Sequence, residues 1–288
     1  MSDSSGESLS LARRVAPLLE VAAVMAAVVG VTWALQATSF RAWQVSHFGK
    51  PFLYNLFFLL LPPLAICVVT RREPRRVGLA FGKLRQQVRL GIAGGVMLLM
   101  LTGWAFPVLG LLGTSYKRWG GAALLTILHL AAAGIILRHI RSHPTPDTGP
   151  GTKRGIAWFA LMVLGACLLG MALASVSRVA GDIVFKLVFV GLAEELLLRG
   201  YVQSRLNDAF GRPFRFCGVP WGWGIVCAAI LFGVLHPLLQ GPPRPWPWAL
   251  WTAAFGLTAG LLREKSGGVT APALAHGLFV LPTVFFGN

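Results

Sequence analysis

About nine apolar stretches, most of them near 20 residues long, follow one another through this 288-residue sequence. The apolar core of a bilayer is roughly 30 Å thick, and an α-helix of about 20 apolar residues crosses it. The pattern therefore predicts an all-α, polytopic transmembrane helix bundle with about eight or nine spans. The predicted spans are residues 16–35, 52–70, 90–111, 119–137, 156–176, 183–205, 222–240, 248–262 and 270–286.

The composition excludes a soluble fold. Hydrophobic residues make up 55% of the chain and charged residues only 12%, whereas a soluble domain carries about 25% charged residues. A net charge of +16 would suggest nucleic-acid binding in a soluble protein. Membrane proteins, however, concentrate Lys and Arg in the loops on one side of the bilayer. We therefore expect a lipid bilayer around the chain and no nucleic-acid partner.

The distribution of basic residues also predicts the orientation of the chain. With a cytoplasmic N-terminus, about three-quarters of the Lys and Arg residues fall in the predicted inner segments, as the positive-inside rule requires. We expect a multi-pass protein of a bacterial cytoplasmic membrane. Its predicted parts are a cytoplasmic tail at 1–15, front helices at 16–137, a polar linker at 138–155 and rear helices at 156–286.

Of the ten acidic residues, only Glu194 and Glu195 lie well inside a predicted span. Ionisable groups inside a bilayer are costly and usually mark functional sites. Arg199 follows Glu195 by four residues on the same helical face, so the two side chains are expected to pair. Glu194 points about 100° away and has no partner on its own helix. This difference predicts a structural role for Glu195 and a chemical role for Glu194.

Two histidines, His236 and His276, lie in later apolar segments of the rear half. Together with Glu194 they could activate a water molecule by general base catalysis or bind a metal ion. The chain has no His-Glu-x-x-His sequence of the kind that zinc proteases use. We expect no cofactor, and Glu194, His236 and His276 would be the ligands if a zinc ion binds. His129, which has no acidic residue nearby in sequence, is expected to be a hydrogen-bonded packing residue.

Three motifs occur in order in predicted membrane segments of the rear half, namely Glu194-Glu195-x-x-x-Arg199, Phe232-x-x-x-His236 and His276. Over about residues 180–285 the chain resembles the CAAX protease and bacteriocin-processing family, whose eukaryotic branch is the type II CAAX prenyl endopeptidase. The resemblance implies an all-helical intramembrane endopeptidase. Members of this family were long treated as metalloendopeptidases, and a metal-free glutamate mechanism is the better-supported view.

The resemblance also implies a role for each motif residue. Glu194 would be the base that activates the hydrolytic water, and His236 would hold and polarise that water. Glu195 and Arg199 would shape the site as an ion pair, together with Phe232.

The last motif departs from the family pattern, which usually reads His-x-x-x-Asn. His276 would belong to the part of the site that stabilises the oxyanion, but the fourth residue after it is Val280, which cannot donate a hydrogen bond. Losing one such donor typically lowers the rate about 10²- to 10³-fold.

Two functions therefore stay open. One is an endopeptidase that cuts a membrane-anchored or lipid-modified protein or peptide. The other is a weakened or inactive family member that acts as a membrane immunity or adaptor protein. A transporter would be expected to have inverted repeats, and the sequence shows none.

Two further expectations concern single side chains. The aromatic residues Trp246, Trp248 and Trp251 are expected to anchor the chain at the outer membrane interface. Asp182 and Lys186 are four residues apart and are expected to pair with each other.

Overall fold

A computed structural model describes residues 4–56, 69–79, 83–140, 153–239 and 244–286, and this part of the chain is mainly helical. The α-helices are Ser4–Gln36, Ser39–Phe48, Leu84–Leu98, Ala105–Leu111, Trp119–His139, Lys153–Val176, Arg178–Val184, Gly191–Glu195, Ser204–Phe210, Trp223–Leu238, Pro247–Ser266, Thr270–Val280 and Thr283–Phe286. A 3₁₀-helix covers Pro74–Val77, and the π-helical segments are Leu99–Gly103, Phe185–Val190 and Leu196–Gln203.

Four helices are long and apolar enough to cross a membrane, by their length and composition: Val15–Gln36, Leu84–Leu111, Trp119–His139 and Ala157–Val176. Two shorter apolar helices are Trp223–Leu238 and Thr270–Phe285. These helices are consistent with the predicted all-α membrane protein, while the count of eight or nine spans stays a prediction. Residues 57–68 of the second predicted span, and residues 141–152 of the predicted linker 138–155, lie outside the described residues.

Three local features were not predicted from the sequence. The first helix begins at Ser4, inside the predicted tail 1–15, and a separate helix follows at Ser39–Phe48. An antiparallel hairpin, Phe214–Phe216 with Val219–Trp221, precedes the helix Trp223–Leu238. Its two-residue turn consists of Cys217 and Gly218, with φ of 50° and 79°. Positive φ at both turn positions matches the twist of the strands. The turn was not predicted because its first position is a cysteine, whereas such turns usually carry Asn or Gly there.

Small residues let the front and rear halves approach closely. A Cβ atom at Gly91 would lie 2.8 Å from the carbonyl oxygen of Ala271, and one at Gly95 would lie 2.9 Å from the Cα of Ala275. Both helices thus present small residues at a spacing of four, as is typical of helix pairs in membranes. The contact fixes the helix Thr270–Val280 against the front half.

The same helix packs equally closely on a continuous helical segment at 178–210, here called the motif helix. A Cβ at Gly191 would lie 2.5 Å from the carbonyl oxygen of Ala273, and one at Gly277 would lie 2.9 Å from the Cα of Leu187. Because neither position has room for a side chain, the backbones come close enough to bring the two helices' polar residues together.

A polar tie joins the first helix to the motif helix. Glu20 accepts hydrogen bonds from both terminal nitrogens of Arg72, from Nε of Arg205 at 2.8 Å and from the hydroxyl of Tyr201 at 3.1 Å. Hydrogen bonds to an ionised group are stronger than neutral ones. The tie therefore stabilises the contact between the two halves.

The prediction that Asp182 pairs with Lys186 is wrong. Asp182 forms its ion pair with Lys50, whose Nζ lies 3.2 Å from Oδ2. The chain that follows the helix Ser39–Phe48 brings Lys50 to this position, and no helical spacing could have indicated a contact over that sequence distance.

Candidate active site

The motif helix carries both candidate carboxylates between two π-helical segments. Phe185–Val190 precedes the short α-helical stretch Gly191–Glu195, and Leu196–Gln203 follows it. π-Helical turns inside α-helices are rare and occur frequently at functional sites. Glu194 and Glu195 therefore lie in a short α-helical stretch that a π-helical segment borders on each side.

Glu195 is fully buried and binds two other motif residues. Its Oε1 accepts a hydrogen bond from Nη1 of Arg199 at 3.0 Å and lies 3.0 Å from Nδ1 of His276. The second terminal nitrogen of Arg199 donates to the carbonyl oxygen of Gly256 at 3.1 Å. The carboxylate thus connects three helices, and the i, i+4 spacing accounts for only one of these contacts.

Glu194 has a different environment from its neighbour. It is half-buried, its Oε2 is shielded from solvent, and it makes no hydrogen bond or ion pair within the described part of the chain. Lys186, Arg199 and His236 nevertheless lie close enough to Glu194 to interact with it electrostatically. The side chain therefore has its charged neighbours in place and an oxygen free to bind water or substrate.

The ring of Phe232 is the point where the motifs meet. The guanidinium carbon of Arg199 lies 4.5 Å from the ring centroid, and the centroids of His236 and His276 lie 4.6 Å and 5.7 Å from it. A cation over an aromatic face is attracted by the ring quadrupole. Phe232 thus packs against a cation and two imidazoles from three helices.

In both His236 and His276, Nδ1 makes a hydrogen bond within the protein. Nδ1 of His236 lies 2.7 Å from the carbonyl oxygen of Phe232, just as Nδ1 of His276 faces Glu195. The structure gives no protein partner to Nε2 of either ring within the described residues. These nitrogens are the ones available for water or substrate.

The location of Trp246, Trp248 and Trp251 at the outer membrane interface stays a prediction, but two of these rings pack inside the helix bundle. Trp246 is 47% exposed, but Trp251 is only 9% exposed, and the ring of Trp248 lies 5.0 Å from that of His236. Trp248, Trp251 and Phe255 share a helical face because they are three and four residues apart. That spacing was the available signal that two tryptophans point into the bundle.

This aromatic cluster contains several buried ring nitrogens without a hydrogen-bond partner within the described residues. The indole nitrogens of Trp248 and Trp251 are buried and unpartnered within the described residues, as is Nε2 of His129. His129 otherwise packs as expected, with Nδ1 2.8 Å from the carbonyl oxygen of Leu125. Buried polar groups in native proteins are usually bonded, and the indole N–H of Trp248 is an unpartnered donor beside the ring of His236.

Val280 is half-buried against the apolar core. Its side chain offers no donor, and its carbonyl oxygen accepts a hydrogen bond from the Thr283 hydroxyl at 2.7 Å. The position therefore has no polar side chain to contribute to the site.

Within the ranges that the structure describes, no group of three or more His, Cys, Asp or Glu side chains could hold a metal ion. Glu194, His236 and His276 do not form such a group there. The absence of a cofactor stays a prediction.

Comparison with known proteins gives one match. Residues 176–281 match the family model described as type II CAAX prenyl endopeptidase Rce1-like. The matched segment is about a third of the chain and contains every motif residue from Glu194 to Val280. It confirms the family resemblance. No curated protein and no solved structure matches the chain.

Proposed function

We propose that the protein is an intramembrane endopeptidase in which Glu194 activates the hydrolytic water. The observation that carries the proposal is the contrast between two adjacent carboxylates. Glu195 is held by Arg199 and His276, whereas Glu194 has a buried, unpartnered oxygen and an electrostatic interaction with His236. A general base must be free to receive a proton, and Glu194 meets this condition.

The reaction follows from these positions. Glu194 takes one proton from water while His236 holds the water through Nε2, and the hydroxide oxygen forms a bond to the carbonyl carbon of the scissile peptide. The carbonyl oxygen becomes an oxyanion. When the C–N bond breaks, Glu194 delivers its proton to the leaving nitrogen. The products are a carboxylic acid, which then passes its proton to the amine to give a carboxylate and an ammonium group, and the ionised Glu194 is restored.

The ion pair of Glu195 and Arg199 positions the remaining groups. The carboxylate of Glu195 accepts a hydrogen bond from Nδ1 of His276. This bond fixes the tautomer and the orientation of the imidazole ring. His276 is thereby oriented toward the reacting carbonyl. The indole N–H of Trp248 is buried beside His236 and has no partner among the described residues. We infer that it donates the hydrogen bond to the oxyanion that Val280 cannot donate.

The substrate class is a membrane-anchored or lipid-modified protein or peptide. Two points support it, namely the apolar helices that surround the motifs and the type II CAAX prenyl endopeptidase family model.

A second function rests on Val280. If the site lacks a sufficient oxyanion donor, the fold acts as a non-enzymatic immunity or adaptor protein that binds its partner in the membrane. A Glu194→Gln, His236→Ala double variant would then keep its biological effect.

Co-expression with tagged membrane-anchored proteins of the host separates the two functions. We expect the wild type to produce a new fragment, the Glu194→Gln variant to produce none, and Val280→Asn to cut faster. Cleavage by Glu194→Gln at the wild-type rate would disprove the glutamate mechanism. A fragment from Val280→Asn alone would assign the wild type to the adaptor function.

A further inference from the structure

A second candidate site lies outside the motifs. An open cavity of about 570 Å³ is lined by Leu137, Arg138, Ile140, Arg215, Phe216, Cys217 and Lys265. Its volume falls within the roughly 300–1,000 Å³ of small-molecule sites. None of its lining residues belongs to the candidate active site, so a ligand bound there is independent of the proposed protease function.

The hairpin forms one wall of this cavity. Its tight turn at Cys217 and Gly218 folds the two strands against the ends of the helices Trp119–His139 and Pro247–Ser266. A Cβ at Gly134 would lie 3.9 Å from the ring of Phe216, so this aromatic side chain rests on the first of these helices. The wall is therefore a packed part of the fold.

All charged groups that line the cavity are positive. Arg138 and Arg215 are exposed, and neither forms an ion pair in the described part of the chain. Lys265 is only 4% exposed, and its ammonium donates one hydrogen bond, to the carbonyl oxygen of Leu137 at 3.0 Å. An ammonium has three donors, so two of them lack a protein acceptor among the described residues.

The other buried basic residues of the described chain are compensated. Arg199 pairs with Glu195, and Arg263 bonds to both Glu264 and Ser204. Lys265 is the exception, since no carboxylate accompanies it in the described ranges. Burying an uncompensated charge is costly. A ligand that brings negative charge would remove this cost.

The surroundings indicate which anion reaches the cavity. The aromatic side chains of Phe214, Phe216 and Trp223 are exposed on or next to the hairpin, which is typical of residues at the level of lipid headgroups. The same basic residues place this face on the predicted cytoplasmic side. Basic pockets between helices on that side bind the headgroups of anionic lipids.

We propose that this cavity binds the phosphate group of an anionic phospholipid headgroup. Arg138 and Arg215 supply planar guanidinium groups, which recognise phosphate oxygens through paired hydrogen bonds. Lys265, a buried residue in the lining, supplies an ammonium group, and the exposed aromatic rings hold the hairpin at headgroup depth.

Native mass spectrometry of the full-length protein in detergent tests the proposal, with phosphatidylglycerol, phosphatidylcholine and inorganic phosphate as probes. We expect phosphatidylglycerol to bind at least tenfold more tightly than phosphatidylcholine. An Arg138→Gln, Arg215→Gln double variant should lose this preference, and Lys265→Gln should weaken it at least threefold. The two arginines are exposed, so the double variant keeps the fold, which thermal unfolding verifies.

Arg85→Gln is the matched control because Arg85 is an exposed basic residue at another helix end. It should leave the preference unchanged. If Arg85→Gln lost the preference for phosphatidylglycerol to the same extent, general surface charge would explain the binding and the proposal would be overturned. A preference that survives in the double variant would also overturn it. Inorganic phosphate that competes at the same concentration as the lipid would reassign the site to free phosphate.

Discussion

Two groups of buried carboxylates in the rear half differ in how completely they are bonded. Glu264 accepts hydrogen bonds at Oε1 from Gln203, Asn207 and Arg263 at 2.8, 3.0 and 3.2 Å, and at Oε2 from Arg212 at 2.6 Å. Both of its oxygens are therefore satisfied by the protein. Such a network rigidifies the contact between the motif helix and the helix Pro247–Ser266.

The carboxylates of Glu194 and Glu195 are only partly bonded. Oε1 of Glu195 binds Arg199 and His276, but Oε2 of both glutamates is buried without a partner in the described residues. A protein that needed only stability would complete these bonds, as it does at Glu264. The comparison indicates that the Glu264 cluster holds the fold together, whereas the Glu194 side is left open for a reaction.

The largest expected effect on stability is at Glu264. Replacing it by Ala leaves Arg263 buried without its carboxylate, and breaking a buried ion pair in this way costs about 3–5 kcal/mol. Thermal unfolding in detergent should show this loss. Asp208→Ala is the control because Asp208 is exposed, and surface substitutions usually change stability by less than about 0.5 kcal/mol. Equal effects of the two variants would contradict a structural role for Glu264.

Glu195→Gln should have an intermediate effect on stability. The amide keeps the shape of the side chain but weakens the hydrogen bonds to Arg199 and His276, and bonds to charged groups contribute about 1.5–3 kcal/mol. We expect a loss of about 2 kcal/mol in thermal unfolding and the loss of cleavage, because His276 is no longer held. Unchanged cleavage would show that this pair does not position the site.

Trp248→Phe should lower stability by about 1 kcal/mol, because an aromatic ring remains against Tyr116 and His236, the smaller ring leaves only part of the indole's space empty, and the indole nitrogen bonds to no described residue. If the indole N–H stabilises the oxyanion, the cleavage rate falls about 10²- to 10³-fold. Trp246→Phe is the control, since Trp246 is exposed. A normal rate in Trp248→Phe would exclude this donor.

Much of the architecture follows from local sequence. Runs of apolar residues identified the long helices because a helix needs about 20 apolar residues to cross a bilayer. Helical spacing placed Glu195 beside Arg199, and the three motifs indicated the family that the match at 176–281 bears out.

The rest depends on contacts between distant segments. The hydrogen bond from His276 to Glu195 joins residues 81 positions apart, and it exists because Gly191 and Gly277 let two helices approach closely. The packing of Trp248 beside His236 was not predicted, although its position on one helical face with Trp251 and Phe255 indicated that it points into the bundle. The hairpin escaped prediction because Cys217 occupies a turn position that usually carries Asn or Gly.

The most direct test compares Glu194→Gln with Glu264→Gln in the purified, full-length protein, by thermal unfolding and by cleavage of a substrate identified in the co-expression assay. Glu194 bonds to no described side chain, so Glu194→Gln should unfold within about 0.5 kcal/mol of the wild type and show no cleavage. Glu264→Gln should be clearly less stable and cut in proportion to its folded fraction. Cleavage by a stable Glu194→Gln variant would contradict the account.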